Sequence, residues 1–483
     1  MQAMSLVREV PSSRRSVERL ASVIGPDRYA RLRSAADAFG SRFSGRTLWN
    51  VNSTSVGGGV AEMLHALVGY VEDLGIAIRW LVIHGDAEFF AITKRVHNGI
   101  HGRGDHSRLG ATEAEHYRRV LEANAVELLQ RIRPGDIVLL HDPQTAGLAA
   151  PLADAGAVVV WRCHIGVDTT TDVTEATWAF LRPHVSRADG WVFSRRSYVP
   201  SWLDGDSVWI VPPSIDPFSV KNQDMDEAMV RAVLATIGLV DGRPGEPAPF
   251  VRQDGGRGEV VRPAAVVADA LPGIDDDLVI QVSRWDRLKD MDGVMHGWAD
   301  HVAPQHAGYL ALVGPAVTNV ADDPEGAAVY SDCLLQWRSL PPAVRSRTLL
   351  VTLPLDDIDE NAAMVNALQR HAAIVVQKSI AEGFGLTVAE AMWKGRPVIG
   401  SAIGGINDQI AAGTGVLLPD PSDLAAFGAA VRDLLDDREE RSRMGAAAHA
   451  YVRENFVGDL HLLRYAEVFT AVASRRAAPG AAR

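Results

Sequence analysis

Two glutamates separated by seven residues enclose a glycine-rich turn in the stretch "SIAEGFGLTVAEAMWKGRPVIGSAIGGI", residues 379–406. Glu382 stands directly before Gly383 and Gly385, and "GLTVAEAMW", residues 385–393, predicts the beginning of a helix, near Thr387. Glycines let a ligand approach the backbone, and the N-terminus of a helix favours an anion such as phosphate. We therefore expect this stretch to bind a phosphorylated ligand, with Glu382 directed at neighbouring sugar hydroxyls.

The same residues also have a purely structural interpretation. Thr387 and Glu390 fit the S/T-x-x-E spacing of a capping box, in which both side chains bond to free backbone N–H groups at a helix start. Gly383 and Gly385 would then be ordinary turn formers. The motif alone leaves both alternatives open.

Two cationic side chains follow a predicted strand in "QVSRWDRLKD", residues 281–290. Arg284 and Lys289 fit ordinary surface charges, which is the structural alternative. A diphosphate leaving group, however, needs its developing negative charge neutralised, and an arginine with a lysine can do this without a metal ion. The functional interpretation is therefore a diphosphate site.

The N-terminal half offers a second set of candidates. In "NVNSTSVGGGVAEML", a run of glycines lies between a predicted strand and a predicted helix, at Gly57, Gly58 and Gly59. The run does not match the G-x-G-x-x-G dinucleotide pattern, so it predicts either a flexible turn or close approach of a sugar or phosphate. Asp142 and His164 end predicted strands, where ligand contacts cluster, although either side chain could be structural.

Other kinds of site are not favoured. His97, His101 and His106 are close in sequence but lack the supporting ligands of a zinc motif, so no metal site is predicted. Cys163 and His164 are adjacent on a predicted strand and would point to opposite faces, which disfavours a catalytic Cys–His pair.

The elements that must position these residues follow an alternating pattern. Short apolar runs alternate with amphipathic stretches, which predicts α/β architecture with two doubly wound domains. Ligands of such sheets bind beyond the carboxyl ends of the strands, so two facing domains would form a cleft. We expect domains at 1–220 and 221–455, a helix at about 456–475 that returns to the first domain, and a tail at 476–483. Residues 241–264 are rich in glycine, proline and charge, as in a linker or surface insertion.

Bulk composition narrows the class of protein. The chain has 483 residues, more than one core accommodates, with a formal net charge of −12 and two cysteines. The acidic balance argues against generic binding to nucleic acid or anionic membranes, and the cysteine usage suits a reducing compartment. The N-terminus lacks the apolar segment of a signal peptide, and no apolar run is long enough to span a membrane. A soluble cytoplasmic protein is the expectation.

Taken together, these residues resemble the retaining GT-B glycosyltransferases that carry an E-x7-E motif. The resemblance implies two Rossmann-like domains facing across a cleft, with Glu382 on the donor sugar and Glu390 on the ribose. It also implies that Arg284 and Lys289 bind the diphosphate, and that no metal or other cofactor is needed. Asp142 would contact the acceptor. The remaining implied donor contacts are Gly57, Gly58, Gly59, His164, Gly383, Phe384, Gly385, Leu386 and Thr387.

The resemblance narrows to the trehalose glycosyltransferring synthases over most of residues 47–470, through "NSTSVGGGVAEMLH", "HDPQTAGL", "WRCHI", "PPSIDPFSVKN" and "VQKSIAEGFGLTVAEAMWKGRPVIG". It implies a retaining enzyme that reversibly makes trehalose from a nucleoside-diphosphate-glucose and glucose, with small-molecule partners and a possible homodimer. A retaining trehalose phosphorylase and a nucleotide-sugar epimerase stay open as alternatives. Residues 1–46 carry no recognisable motif, and residues 241–264 look enlarged.

Overall fold

The structure is a computed structural model that describes residues 5–55, 59–104, 109–203, 205–240, 248–317 and 324–477. The strands are β1 (Val7–Glu9), β2 (Leu48–Asn52), β3 (Ile78–Ile83), β4 (Ile137–His141), β5 (Val158–Cys163), β6 (Gly190–Phe193), β7 (Val208–Ile210), β8 (Ala248–Val251), β9 (Arg257–Val260), β10 (Ala265–Val267), β11 (Leu278–Val282), β12 (Tyr309–Pro315), β13 (Thr348–Leu353), β14 (Ile374–Gln377), β15 (Val398–Ser401) and β16 (Val416–Leu418).

The helices are α1 (Ala21–Ile24), α2 (Pro26–Arg42), α3 (Gly59–Asp73), α4 (Ala87–Ile100), α5 (Ala111–Leu128), α6 (Asp142–Thr145), α7 (Ala149–Asp154), α8 (Asp172–Val185), α9 (Glu227–Thr236), α10 (Met291–His301), α11 (Pro324–Ser339), α12 (Pro342–Arg345), α13 (Ile358–His371), α14 (Leu386–Trp393), α15 (Ile406–Gln409), α16 (Leu424–Asp436), α17 (Arg438–Asn455) and α18 (Gly458–Ala477). Within the described ranges, none combines the length and apolar character of a membrane-spanning helix.

The chain forms two compact units. Among the described residues, those up to Ser214 and those from Phe456 onward form the first unit, and the residues from Ile215 to Asn455 form the second. The structure therefore places the first division after Ser214, whereas the sequence suggested residue 220. Residues just beyond Ser214 pack on the second unit, because Asn366 Nδ2 donates to the carbonyl oxygen of Val220 at 3.1 Å.

The first unit is built on a seven-stranded sheet with the order β1-β3-β2-β4-β5-β6-β7. All neighbouring strands are parallel except β1, which is antiparallel to β3. β4 and β5 are buried along their whole length, as expected for parallel strands covered on both faces. On one face, Tyr465, Phe469 and Val472 of α18 join the same core as Phe39 of α2.

The second unit repeats this plan with a different order. Its seven-stranded sheet runs β10-β13-β12-β11-β14-β15-β16, and the antiparallel strand β10 again lies at an edge. The parallel strands follow the 3-2-1-4-5-6 order of a dinucleotide-binding fold. In such sheets the carboxyl ends of the two strands where the order reverses form the ligand crevice. Those strands are β11 and β14 here, and β2 and β4 in the first unit.

Three segments differ from the sequence-based expectations. Residues 248–260, within the segment expected to be a linker or surface insertion, hold the antiparallel hairpin β8–β9. Its Arg252 binds Asp357 at the start of α13 through two hydrogen bonds of 3.0 and 2.7 Å. The expected tail begins too early, since α18 continues to Ala477 and Arg476 donates to Asp189 at 2.6 Å. The N-terminal residues supply β1 and α2.

Candidate active site

The second unit gathers its predicted site residues at the carboxyl ends of β11 and β14. Lys289 closes a 3₁₀ turn that follows β11, and Glu382 lies in the loop that follows β14. Lys289 Nζ donates to Glu382 Oε2 at 2.5 Å, and the two side chains are only 16% and 12% exposed. The structure therefore joins a predicted diphosphate contact and a predicted sugar contact in one ion pair.

Arg284 lies in the same segment after β11, in a more open position. Its side chain is 64% exposed, and its Nη2 atom lies 3.1 Å from Asp286 Oδ2. The other oxygen of Asp286 accepts from the backbone N–H of Leu288 at 2.8 Å, which fixes the turn. Because the guanidinium is solvent-exposed, its ion pair contributes little free energy, so a phosphate group can replace the carboxylate at small cost.

Buried polar side chains form hydrogen bonds that hold the turn carrying Lys289 in place. Gln281 Nε2 donates to the carbonyl oxygen of Lys289 at 2.6 Å. Asp290, the next residue, has a positive φ of 52° and binds the ammonium of the fully buried Lys378. Lys378 also donates to the carbonyl oxygen of Pro421 at 2.7 Å. The ammonium of Lys289 is thus presented by a backbone that buried hydrogen bonds keep in place.

The loop from Glu382 to Gly385 leads directly into α14. Gly385 is the residue before the helix, its φ is +80°, and a Cβ there would lie 3.1 Å from Glu382 Cγ. The helix has no side-chain cap hydrogen bond, and Thr387 is its second residue. The capping-box interpretation of Thr387 and Glu390 is therefore wrong, because the helix starts earlier than that interpretation requires. Leu386 and Thr387 form the first turn, where backbone N–H groups favour an anion.

The second glycine pair of the opening motif packs against this loop. The N–H of Gly405 donates to the carbonyl oxygen of Gly383 at 3.1 Å, and a Cβ on Gly405 would lie 2.6 Å from Phe384 Cα. Gln409 secures the contact, because its Nε2 donates to the carbonyl oxygen of Phe384 at 2.5 Å and its Oε1 accepts from Ala389 N at 2.9 Å. No sequence pattern indicates a role for Gln409.

Glu390 is buried and lies between two lysines. Lys221 Nζ is 3.5 Å from Glu390 Oε1, whereas Lys394 Nζ donates to the backbone oxygen of Glu390 at 3.0 Å. Lys394 also donates to Asn222 Oδ1 at 3.0 Å and Gln369 Oε1 at 2.8 Å. Burial lowers the pKa of Lys394 to about 7, although the nearby Glu390 carboxylate opposes that shift. Lys221 is therefore the cation that pairs with the carboxylate itself.

The segment that carries Lys221 is clamped onto the second unit. Trp393 Nε1 donates to the carbonyl oxygen of Asn222 at 3.2 Å, and Arg370 Nη2 donates to that of Gln223 at 2.9 Å. Lys221 was missed as a candidate residue, although it lies in the quoted stretch "PPSIDPFSVKN". A lone lysine in a loop carries no sign of a partner far along the chain.

In the first unit, Asp142 and His164 are in contact. Asp142 directly follows β4 with a φ of +62°, and its Oδ1 accepts from the backbone N–H of His164 at 2.7 Å. Burial raises the pKa of Asp142 to about 6, although this hydrogen bond and the charge of Arg162 oppose the shift. Of the predicted glycine run, Gly59 is the first residue of α3, and Gly57 and Gly58 lie outside the described residues.

A row of buried polar side chains extends from His164. Its Nε2 is 3.0 Å from His141 Nδ1, and His141 Nε2 is 3.1 Å from Asn50 Oδ1. Burial lowers the pKa of His164 well below its usual value and that of His141 to about 3, and the charge of Arg162 adds to both shifts. Arg162 is fully buried on β5 and donates to Ser194 Oγ at 3.1 Å. The imidazoles are therefore neutral hydrogen-bonding groups.

Metal ligands do not cluster in the part of the chain that the structure describes. No group of three His, Cys, Asp or Glu side chains there could hold a metal ion. His97 and His101 lie at the end of α4 with ring centroids 4.9 Å apart, and His106 lies outside the described residues.

Family models match both units. The model "Trehalose synthase, N-terminal domain" matches residues 50–200, and the model "Glycosyl transferases group 1" matches residues 359–451. The trehalose synthase of Pyrococcus horikoshii is 34% identical over 96% of this chain and 99% of the relative. That of Rubrobacter xylanophilus is 32% identical over 90% of this chain and 92% of the relative.

The chain also resembles more distant proteins, in sequence or in fold. The trehalose phosphorylase of Pleurotus pulmonarius is 26% identical over 83% of this chain but only 54% of the relative. A solved trehalose-phosphate synthase (UDP-forming) from Burkholderia xenovorans, in complex with glucose-6-phosphate, covers 89% of this chain and 100% of its own, with a TM-score of 0.63 at 14% identity. At this identity the likeness concerns the fold, and it confirms the predicted GT-B class of two Rossmann-like domains. By its similarity to the trehalose synthases of Pyrococcus horikoshii and Rubrobacter xylanophilus, the chain belongs to the trehalose synthase family of glycosyltransferases.

Proposed function

We propose that this enzyme transfers glucose from a nucleoside-diphosphate-glucose to glucose, reversibly and with retention, and so makes trehalose. The observation that carries the proposal is the Lys289–Glu382 ion pair of 2.5 Å at the carboxyl ends of β11 and β14. A cation for the diphosphate and a carboxylate for the sugar hydroxyls stand together at the start of α14. Membership of the trehalose synthase family supports the choice of sugars.

Each residue of the second unit has a proposed role. Arg284 and Lys289 neutralise the diphosphate, and the first turn of α14 adds backbone N–H groups. Glu382 orients the donor glucose, and its partner Lys289 links its position to the presence of the diphosphate. Glu390, paired with Lys221 at 3.5 Å, accepts the ribose hydroxyls.

The residues of the first unit suit neutral hydroxyl groups. The Asp142 carboxylate accepts a hydrogen bond from a sugar hydroxyl, and the neutral His164 imidazole can donate or accept. We assign Asp142 to the acceptor and His164 to the donor glucose. The partners that this function requires are small molecules, and it does not require a homodimer.

The bond changes balance without an enzyme nucleophile. The C1–O bond to the diphosphate breaks, and a C1–O bond to the acceptor hydroxyl forms on the same face. The acceptor proton passes to an oxygen of the departing diphosphate. Arg284 and Lys289 stabilise the charge that develops there, which is the task of an electrostatic catalyst. We propose that no metal ion is needed, because the chain supplies both cations.

The phosphorylase alternative is less well supported. The relatives named trehalose phosphorylase are 24–26% identical, against 32–34% for those named trehalose synthase. Inorganic phosphate would also leave the Lys221–Glu390 pair without a ribose to bind.

The experiment is product identification from a panel of nucleoside-diphosphate-glucoses with and without glucose. We expect trehalose and free nucleoside diphosphate only when glucose is present, and no stimulation by inorganic phosphate. Trehalose cleavage that depends on phosphate would establish the phosphorylase instead. Conversion of the sugar nucleotide without an acceptor would establish an isomerase.

A further inference from the structure

We propose that the first unit contains a second saccharide site, separate from Asp142 and His164, which takes an uncharged mono- or disaccharide. The site is a cavity of about 460 Å³ between α8 and the segment that follows β6. Its volume is within the range of small-molecule sites. Its lining includes Gly166 and Trp202 but neither Asp142 nor His164. No role in the proposed reaction accounts for it.

Two tryptophans form apolar walls of this cavity. The rings of Trp178 and Trp202 have centroids 6.4 Å apart and cross at 67°, so they meet edge to face. The guanidinium of Arg182 lies 5.3 Å from the centroid of the Trp202 ring and covers it from one side. The indoles are therefore held by contacts within the protein, and they offer apolar surface to the C–H face of a sugar ring.

A hydrogen-bond donor in the lining lacks an acceptor. Trp202 Nε1 is buried and has no hydrogen-bond partner among the residues that the structure describes. An indole N–H can only donate, and a buried donor without an acceptor is unfavourable. The atom is not exposed in the cavity, so a ligand oxygen would satisfy it only after a small shift of the indole. Hydroxyl and carboxylate groups of the lining supply further hydrogen bonds, from Thr169, Thr170, Glu175, Ser197 and Ser201.

The charges of the cavity select against anionic ligands. Arg182 is the cation of its lining, and Glu175 lies seven residues before it on α8, about two helical turns away. One carboxylate and one guanidinium leave little net charge, unlike the Arg284 and Lys289 pair of the second unit. A nucleotide or sugar phosphate would lack the cations that it needs. An uncharged molecule with many hydroxyls and apolar ring faces meets every requirement of the lining.

Hydrogen bonds also hold the two walls together. Asp168 precedes α8, and its Oδ1 accepts from Ser197 Oγ at 2.8 Å and from the guanidinium of Arg195. Asp168 thus connects the loop after β5 to the segment after β6. A site whose walls are joined before the ligand arrives loses less entropy on binding.

Equilibrium dialysis of the full chain with labelled trehalose, and separately with labelled glucose, tests the proposal. The comparison uses wild type, Trp202→Phe, which keeps a ring but lacks the N–H, and Asp142→Asn. Trp209→Phe is the matched control, because Trp209 is also covered by an arginine (Arg475, 5.2 Å from its ring centroid) but does not line the cavity.

Because the proposed active site also takes glucose and trehalose, we expect two classes of saccharide site in wild type. One class should be weakened at least tenfold by Trp202→Phe, stay within about twofold in Trp209→Phe, and persist in Asp142→Asn. Hydrogen exchange should slow at residues 197–202 when the saccharide is added to wild type. If Trp202→Phe unfolds, this exchange result decides on its own. Binding unaffected by Trp202→Phe, binding abolished by Asp142→Asn, or no slowing at residues 197–202 would overturn the proposal. These outcomes do not depend on which reaction the enzyme catalyses.

Discussion

The two units place different chemistry at equivalent points of similar sheets. Where the strand order reverses in the second unit, opposite charges meet: Arg284 with Asp286, and Lys289 with Glu382. At the equivalent point of the first unit, Asp142 stands beside the neutral His141 and His164. The first arrangement suits an anion that exchanges with carboxylates. The second suits hydroxyl groups, which need fixed donors and acceptors.

Burial explains this difference. Arg284 is largely solvent-exposed, so it keeps its charge cheaply and can change partner. In the first unit, desolvation disfavours ionisation, which lowers the pKa of His141 to about 3 and raises that of Asp142 to about 6. The same fold therefore provides an ionic site or a neutral hydrogen-bonding site according to how deep the polar residues lie.

The largest effect is expected when a cation is removed from the ionic site of the second unit. Arg284→Ala and Lys289→Ala should each lower kcat by about 10²–10³, the usual loss when a charge-stabilising donor is removed. Arg287→Ala is the control, because Arg287 belongs to the same turn but pairs with Asp332 at 3.1 Å. Its kcat should stay within about twofold of wild type. Steady-state kinetics with unchanged melting curves would check all three, and near-normal turnover by both site variants would refute the diphosphate assignment.

A second prediction concerns Asp142, in the hydrogen-bonding site of the first unit. Asp142 should ionise near pH 6 in the folded protein but near pH ~3.9 when unfolded. Between these two pKa values, the unfolded state has lost its proton while the folded state still holds it. The free energy of unfolding therefore falls as the pH rises from ~3.9 to about 6. Asp142→Asn should raise the free energy of unfolding by about 1–3 kcal/mol at pH 8 and leave it unchanged below pH ~4.

Asparagine also tolerates the positive φ of 62° at this position. Urea unfolding at pH 4, 6 and 8 makes the measurement. A variant that is less stable than wild type at pH 8 would contradict the assigned ionisation. In wild type, kcat/KM should fall below pH ~6 if the carboxylate must accept a hydrogen bond.

A third prediction sharpens the role of the ribose pair. Lys221→Met should raise KM for the sugar nucleotide about tenfold, equivalent to ~1.4 kcal/mol, with kcat within about threefold. Lys221→Arg should restore most of the affinity, because it keeps the cation beside Glu390. A merely structural lysine would instead lower thermal stability without changing the donor KM.

The smallest effect is expected on metal removal. Since the proposed cations are side chains, prolonged EDTA treatment should leave turnover within about twofold, a change below ~0.5 kcal/mol. Lost activity that returns with Mg²⁺ or Zn²⁺ would show that the ionic site needs a metal partner.

The sequence predicted the two sheets because their central strands are continuous apolar runs. It did not predict β1 and β10, which are short and partly exposed and form only by pairing with β3 and β13. The same limit applies to the site. Residues close in sequence, such as Glu382 and Gly385, were recognised from their spacing. The pairing of Lys221 with Glu390 depends on packing between distant segments, which no local pattern encodes.

The wrong capping-box interpretation has a similar origin. Thr387 and Glu390 satisfy a capping pattern, but the positive φ of Gly385 begins α14 earlier. Packing of Gly405 against Phe384 holds that loop. The contact joins a residue that precedes β15 in the sequence to one that follows it. Local spacing therefore indicated candidate residues, while tertiary contacts determine which partners each side chain has.

NMR of the product formed from ¹³C-labelled nucleoside-diphosphate-α-glucose and unlabelled glucose tests the central claim most directly. The ionic site should hold the diphosphate while the acceptor hydroxyl attacks on the same face. The account predicts α,α-trehalose, with α-type anomeric couplings at both C1 atoms and the label in a single glucose unit. A β-linked product, or no disaccharide with any nucleoside-diphosphate-glucose, would contradict it.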